Sequence, residues 1–322
     1  MWKTTVPHGF LKPIKISNMK KPLYILSVLV LGMQVWCNRA SAQTPFTFTQ
    51  YMNNLTPVNA AYSTLDAAAN VNVVGRKQFI GIDGAPSTFL FNGSVPLAGI
   101  GSNAGLIVLN DRFGPENLTE INAFFAKKIQ LSGTTYLSAG INAGFRTHKI
   151  TTAQLAPTDP LFGSSDINEN QTNIGLSAML SGSNYYVGLS LPRLTLSTIG
   201  QSAAQNGYTM NTYYLTGAYL APLGSDFKIK PAVLVNYSGT NLPLMYDVST
   251  TLYIKNVLGV GINYHSQDAL AGIVSVFINN NIQFGYSYQF SVGQYALGGV
   301  NNSTQEVTLS YRFGKGLLSK LL

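Results

Sequence analysis

At 322 residues, with 46% hydrophobic and only 10% charged side chains, the chain lacks the charge that coats a soluble surface. Its formal charge of +8 is concentrated in residues 1–42, which hold six of the twenty basic residues and none of the twelve acidic ones, so the remainder carries +2 and a basic nucleic-acid footprint is excluded. The single cysteine, Cys37, lies in that same stretch, which leaves the rest without a disulfide, a thiolate nucleophile or a cysteine metal site.

Residues 1–42 read as a secretory signal peptide. Lys20 and Lys21 form its basic region, Leu23 to Trp36 its apolar stretch, and Ala40-Ser41-Ala42 a small-residue cleavage site before Gln43. Met19 offers an alternative start. Bulky Trp36 directly before Cys37 argues against a lipid anchor there. Past this point no apolar run is long enough for a membrane helix.

Residues 43–67 mix the aromatics Phe46, Phe48, Tyr51 and Tyr62 with Asn and Pro. Four aromatics are more than a plain linker needs. The expectation is a periplasmic N-terminal segment that packs inside the following domain or docks a periplasmic partner, with a loosely ordered tail as the alternative.

From Ala68 to Phe313 the dominant period is two. Leu137, Ala139, Ile141, Ala143 and Phe145 oppose Ser138, Gly140, Asn142, Gly144 and Arg146; Ile282, Phe284, Tyr286, Tyr288 and Phe290 oppose Gln283, Gly285, Ser287 and Gln289. The polar face is built of Gly, Ser, Asn and Thr rather than Lys and Glu, and aromatics gather near segment ends. Those features suit an all-β transmembrane antiparallel barrel better than a soluble sandwich. About fourteen strands are predicted, near 68–80, 87–96, 103–111, 117–129, 134–146, 171–181, 184–193, 209–221, 226–238, 245–255, 257–265, 270–278, 281–290 and 305–313, with twelve as the alternative; residues 314–322 form a tail. The long connections 147–170, 194–208 and 291–304 all fall at one end and the short ones at the other. If the first strand rises from the periplasm, the long set is extracellular and both termini are periplasmic.

Arg76 and Gln78 are expected to face the lumen while Lys77 snorkels at the outer interface. Asp83, Asp111 and Arg112 sit in or beside turns. These residues read either as a polar wall or rim that contacts a protein, or as lumenal ion pairs and hairpin closures. The outer loops read equally as a grip on a protein partner or as solvated sequence. His148 and His265 stand apart in the sequence, no nucleophile elbow or metal-binding helix motif is present, and Gly314-Lys315-Gly316 lacks the rest of a phosphate loop. No enzyme activity, cofactor or metal is expected. Gly140 to Gly144 matches a helix-pairing spacing but lies on a predicted strand, where it signals close backbone approach.

"QYMNNLTPVNAAYS" (50–63), "GRKQFIGIDGAPSTFLFNGSVPL" (75–97) and "NDRFGP" (110–115) together resemble the opening of the PorP/SprF family of type IX secretion outer-membrane proteins. The resemblance is specific over residues 46–115 and compatible from there to Phe313. Val58-Asn59-Ala60-Ala61-Tyr62 departs from the family's Asn-Pro-Ala-Tyr box, and Phe79 stands where Trp is common. The resemblance implies an outer-membrane barrel of a Bacteroidota-like cell, embedded in outer-membrane lipid and serving protein secretion or gliding motility. It further implies partners: a periplasmic peptidoglycan-binding lipoprotein, the secretion ring, and the C-terminal domain of a secreted adhesin. A passive porin or small-solute channel is the alternative.

Overall fold

The computed structural model describes residues 47–151, 166–195, 211–239, 242–292 and 303–314. Segments in which β-branched and aromatic residues alternate with small polar ones suit a sheet whose two faces meet different surroundings. They form β1 Asn70–Lys77, β2 Ser87–Leu97, β3 Ser102–Phe113, β4 Glu116–Ser132, β5 Thr135–Ile150, β6 Ile167–Ser181 and β7 Tyr185–Thr195. The next, β8, runs Tyr213–Tyr219, breaks at Leu220 and resumes at Ala221–Pro222; then come β9 Phe227–Tyr237, β10 Met245–Ile254, β11 Leu258–His265, β12 Ala269–Phe277, β13 Ile282–Ser291 and β14 Thr304–Arg312. Every neighbour is antiparallel, and β1 pairs with β14 as well as with β2. The fourteen strands therefore close into a barrel without a free edge. At the seam Asn70 lies opposite Arg312 and Lys77 opposite Gln305.

The outer wall carries a band of exposed apolar side chains, among them Phe89, Leu106, Phe125, Ile141, Leu176, Leu189 and Ile262. A band of this extent is stable only against lipid. The inner wall buries Asn92, Ser138, Asn142, Thr216, Ser249, Asn263 and Ser287. No helix among the described residues is long and apolar enough to cross a membrane.

The connections differ by end. At one end are 98–101, 133–134, 182–184, 223–226, 255–257 and 278–281, none longer than four residues. Lys255 and Asn256 both take positive φ there, 50° and 54°, as a tight hairpin whose twist matches its strands requires. At the other end lie 78–86, 151–166, 196–212, 238–244 and 292–303, together with two short turns.

Several boundaries shift by a few residues from the sequence reading, and two of the shifts bear on side-chain placement. The 147–170 connection shrinks to 151–166 because β5 and β6 continue their alternation in polar residues, with His148 inward and Thr147 and Lys149 outward. The first strand ends at Lys77 rather than near residue 80: Phe79 has φ 46°, so Gln78 and Phe79 leave the strand and share neither of its faces.

Candidate functional site in the barrel lumen

Residues 47–66 run through the inside of the barrel. At the long-loop end Arg76 on β1 donates to the Thr47 carbonyl. The Thr49 and Gln50 backbone N–H groups both donate to the Glu306 carboxylate on β14, 2.9 Å each. Gln50 also donates to the Glu306 carbonyl (3.3 Å) and accepts from the Thr308 hydroxyl (3.1 Å). A single turn, Tyr51–Asn53, then carries the chain toward the short-turn end. The Tyr51 hydroxyl reaches the Asp247 carbonyl (3.2 Å) and the Ser249 hydroxyl (3.1 Å), and Lys230 Nζ donates to the Met52 carbonyl (2.7 Å).

The segment next crosses the lumen. Asn54 donates to Asn92 (2.6 Å), Asn59 donates to the Ala178 and Leu189 carbonyls, and the Ala61 N–H donates to Ser177 Oγ (3.1 Å). Asn103 donates to the Ser63 carbonyl (2.8 Å), Lys128 Nζ to the Thr64 carbonyl (2.9 Å), and Arg312 pairs with Asp66 at 2.6 Å. There the chain turns and starts β1. The apolar side chains Phe48, Met52, Leu55 and Val58 are buried against Leu90, Leu109, Met179, Leu234 and Ile273, so the barrel has a hydrophobic core of its own. Three glycines of the inner wall make room for this segment. A Cβ on Gly140 would stand 2.9 Å from Ala61 N, one on Gly188 2.8 Å from Asn59 Nδ2, and one on Gly285 2.2 Å from Gln50 Oε1.

A second polar group lies toward the long-loop end of β4, β5 and β7. Glu120 is fully buried and bonds Arg146 at 3.0 Å and Arg193 at 2.8 Å. Strict alternation would send Arg193 out to lipid. Instead the register slips between Ile174–Leu194 and Leu176–Leu191, so Pro192 and Arg193 together face one residue, and this bulge re-aims Arg193 inward. His148 pairs with Glu116 and His265 with Asp247, each at 3.0 Å. Both histidines are thus held by carboxylates from neighbouring strands, a pairing their isolation along the chain did not signal.

Of the residues singled out from sequence, Phe48 and Tyr51 are core members, and Tyr62 stacks edge-on against Tyr186 at 5.5 Å. Phe46 and most of the long loops lie outside the described residues. Arg76 faces the lumen, as its register position requires. Asp111 accepts from Thr88 (2.8 Å) on the inner wall, whereas Arg112 is exposed on the outer face. Gln78 donates its N–H to the Pro86 carbonyl and helps close the 78–86 connection, at whose tip Asp83 is exposed. The sequence reading missed Glu306, Glu120 and Lys230. Glu306 alternates with Thr304, Thr308 and Ser310, where a lone carboxylate on a small polar face was the available signal, whereas Glu120 and Lys230 share their faces with larger side chains and a second charge, Glu116 and Lys228, and carried no such mark.

A family model described as type IX secretion system membrane protein PorP/SprF matches residues 40–311. No curated protein sequence matches. Among solved structures, the Acinetobacter baumannii outer membrane protein Omp33 is similar at 11% identity over 77% of this chain and 99% of that one, with a TM-score of 0.46. The Pseudomonas putida toluene transporter TodX is similar at 10% identity over 84% and 95%, with a TM-score of 0.45.

Proposed function

The chain belongs to the PorP/SprF family of type IX secretion system membrane proteins, and from that membership we propose that it is an outer-membrane component that acts by binding proteins rather than by conduction or chemistry. In this reading the barrel fixes a position in the outer membrane. Its short turns face the periplasm, where a peptidoglycan-binding lipoprotein and the secretion ring dock. Its long-loop end faces outward and supports export or surface anchoring of the C-terminal domain of a secreted adhesin.

The observation that carries the reading is the filled lumen. A solute channel needs an open path lined by groups that exchange with water. Here residues 47–66 span the barrel from one end to the other and bond to strands on several sides. The intact protein in a planar bilayer is expected to give no steady current, while deletion of residues 47–66 opens one. Steady open currents from the intact barrel would return the porin reading. The protein-binding half is tested separately: crosslinkers installed in residues 196–212 of the full chain, in cells, should capture the adhesin C-terminal domain, and capture confined to the short turns would overturn it.

A further inference from the structure

The lipid-facing wall changes character toward the long-loop end of β1 to β6. Strands β4, β5 and β6 have 17, 16 and 15 residues, more than the roughly nine to eleven that a tilted strand needs to cross the hydrocarbon. The excess stands above the apolar band, and cross-strand register sorts its outward side chains into rows. On β3 to β5 the last apolar row is formed by the neighbours Val108, Ile121 and Phe145, and on β2 the exposed Phe89, opposite Asn110, carries the apolar band one row higher. Above them Asn110, Thr119, Thr147 and Asn170 are direct neighbours. Asn110 donates to Thr119 (2.9 Å) and Thr147 to Asn170 (2.7 Å). The row above that reads Lys77, Ser87, Arg112, Asn117, Lys149 and Asn168 across β1 to β6.

That top row carries three cations, each separated from the next by one uncharged strand and hence by about 10 Å. Lys77, Arg112 and Lys149 are all exposed, and none makes an ion pair among the described residues. No carboxylate shares either polar row. The contrast with Arg146, Arg193 and Arg312, each paired with Glu or Asp inside, is sharp in a chain so poor in charge. Their position just past the apolar band is the depth of lipid headgroups. Amides and hydroxyls below a line of cations match a sugar headgroup carrying phosphates, whereas a simple phospholipid offers phosphate without the array of hydroxyls.

We infer that the outward face of β1 to β6 at the long-loop end is a docking site for the phosphorylated saccharide headgroup of a lipopolysaccharide. Lys77, Arg112 and Lys149 bind its phosphates; Asn110, Asn117, Thr119, Thr147 and Asn170 hydrogen-bond its sugar and linkage groups. The inference rests on the reading that the long-loop end faces outward.

The test is native mass spectrometry of the full-length barrel in detergent, titrated with bisphosphorylated lipid A, dephosphorylated lipid A and phosphatidylglycerol. The first should bind well above the other two. In the Lys77→Gln/Arg112→Gln/Lys149→Gln triple variant its affinity should fall roughly a hundredfold, the scale expected for three basic residues at an anionic membrane surface. Lys77→Arg and Lys149→Arg should keep binding. Lys127→Gln, an outward lysine near the opposite end, should leave it unchanged, and heat-modifiable migration shows that each variant is folded. Wild-type affinity in the triple variant, or equal binding of phosphatidylglycerol at the same residues, would overturn the site. A failed orientation is read apart from this, by labelling an introduced cysteine on intact cells, because binding in detergent does not depend on which end faces outward.

Discussion

Glu306 shows how one side chain can organise two parts of the chain. It lies on the closing strand, fully buried, and its two carboxylate oxygens take the N–H groups of Thr49 and Gln50. Arg76, its register partner across the seam, holds the Thr47 carbonyl. The start of the inner segment is thereby stitched to the strand pair that closes the barrel. Substituting Glu306 by Ala leaves two buried donors without their acceptor, at about 1–3 kcal/mol each. The expected result is an intact barrel whose residues 47–54 become sensitive to protease, seen as a clipped product of unchanged heat-modifiable migration. Glu120 should behave differently. Its removal strands Arg146 and Arg193 together in the lumen, and loss of one partner from a buried ion pair costs about 3–5 kcal/mol. Denaturant titration of Glu120→Ala in vesicles should show a lowered midpoint, with Arg193→Ala added to Glu120→Ala recovering part of the loss. A second mutation that deepens the loss additively would show that the three groups do not act as a unit.

At the scale of elements, the inner segment and the wall are fitted to each other by size as well as by hydrogen bonds. Gly140, Gly188 and Gly285 stand where the segment approaches closely. The spacing of Gly140 and Gly144 already suggested close backbone approach, but nothing local identified the neighbour as Ala61. Gly140→Val should cost about 1–3 kcal/mol as an overpacking change. Gly272→Val is the control, since a Cβ there meets nothing within 4 Å. Equal thermal midpoints for the two variants would refute the fit. Strand β7 teaches the complementary lesson. Alternation reads its faces well up to Leu191, and the bulge at Pro192 then reverses the side on which Arg193 stands. A proline in a strand is a recognised place for such a break, yet which way the next side chain turns depends on the register with β6. For the same reason the sequence at Thr147 and Lys149 reads as loop: polar residues on an outward face look identical to solvent-exposed sequence until the strand beyond them is seen to pair.

For the whole molecule, the difference between the two ends predicts an orientation that chemistry on cells can check. Single cysteines at Asp83 in the long 78–86 connection and at Asn256 in the 255–257 turn should respond oppositely to an impermeant maleimide on intact cells, with only the first labelled. The reverse pattern would invert the assignment of ends while leaving the lumen as described. The chain's own residues were sufficient to determine a closed sheet of about fourteen strands, because a wall between lipid and lumen forces side chains to alternate and every strand records that alternation locally. The same recurrence made the apolar outer face and the inequality of the connections readable. What fills the lumen was decided only in three dimensions. Residues 47–66 have no period to report, and their partners Glu306, Lys230, Asn92 and Ser177 are spread over strands far apart in the chain. Their meeting is fixed by the curvature and register of the closed wall, quantities that belong to the assembled barrel and to no single stretch of it.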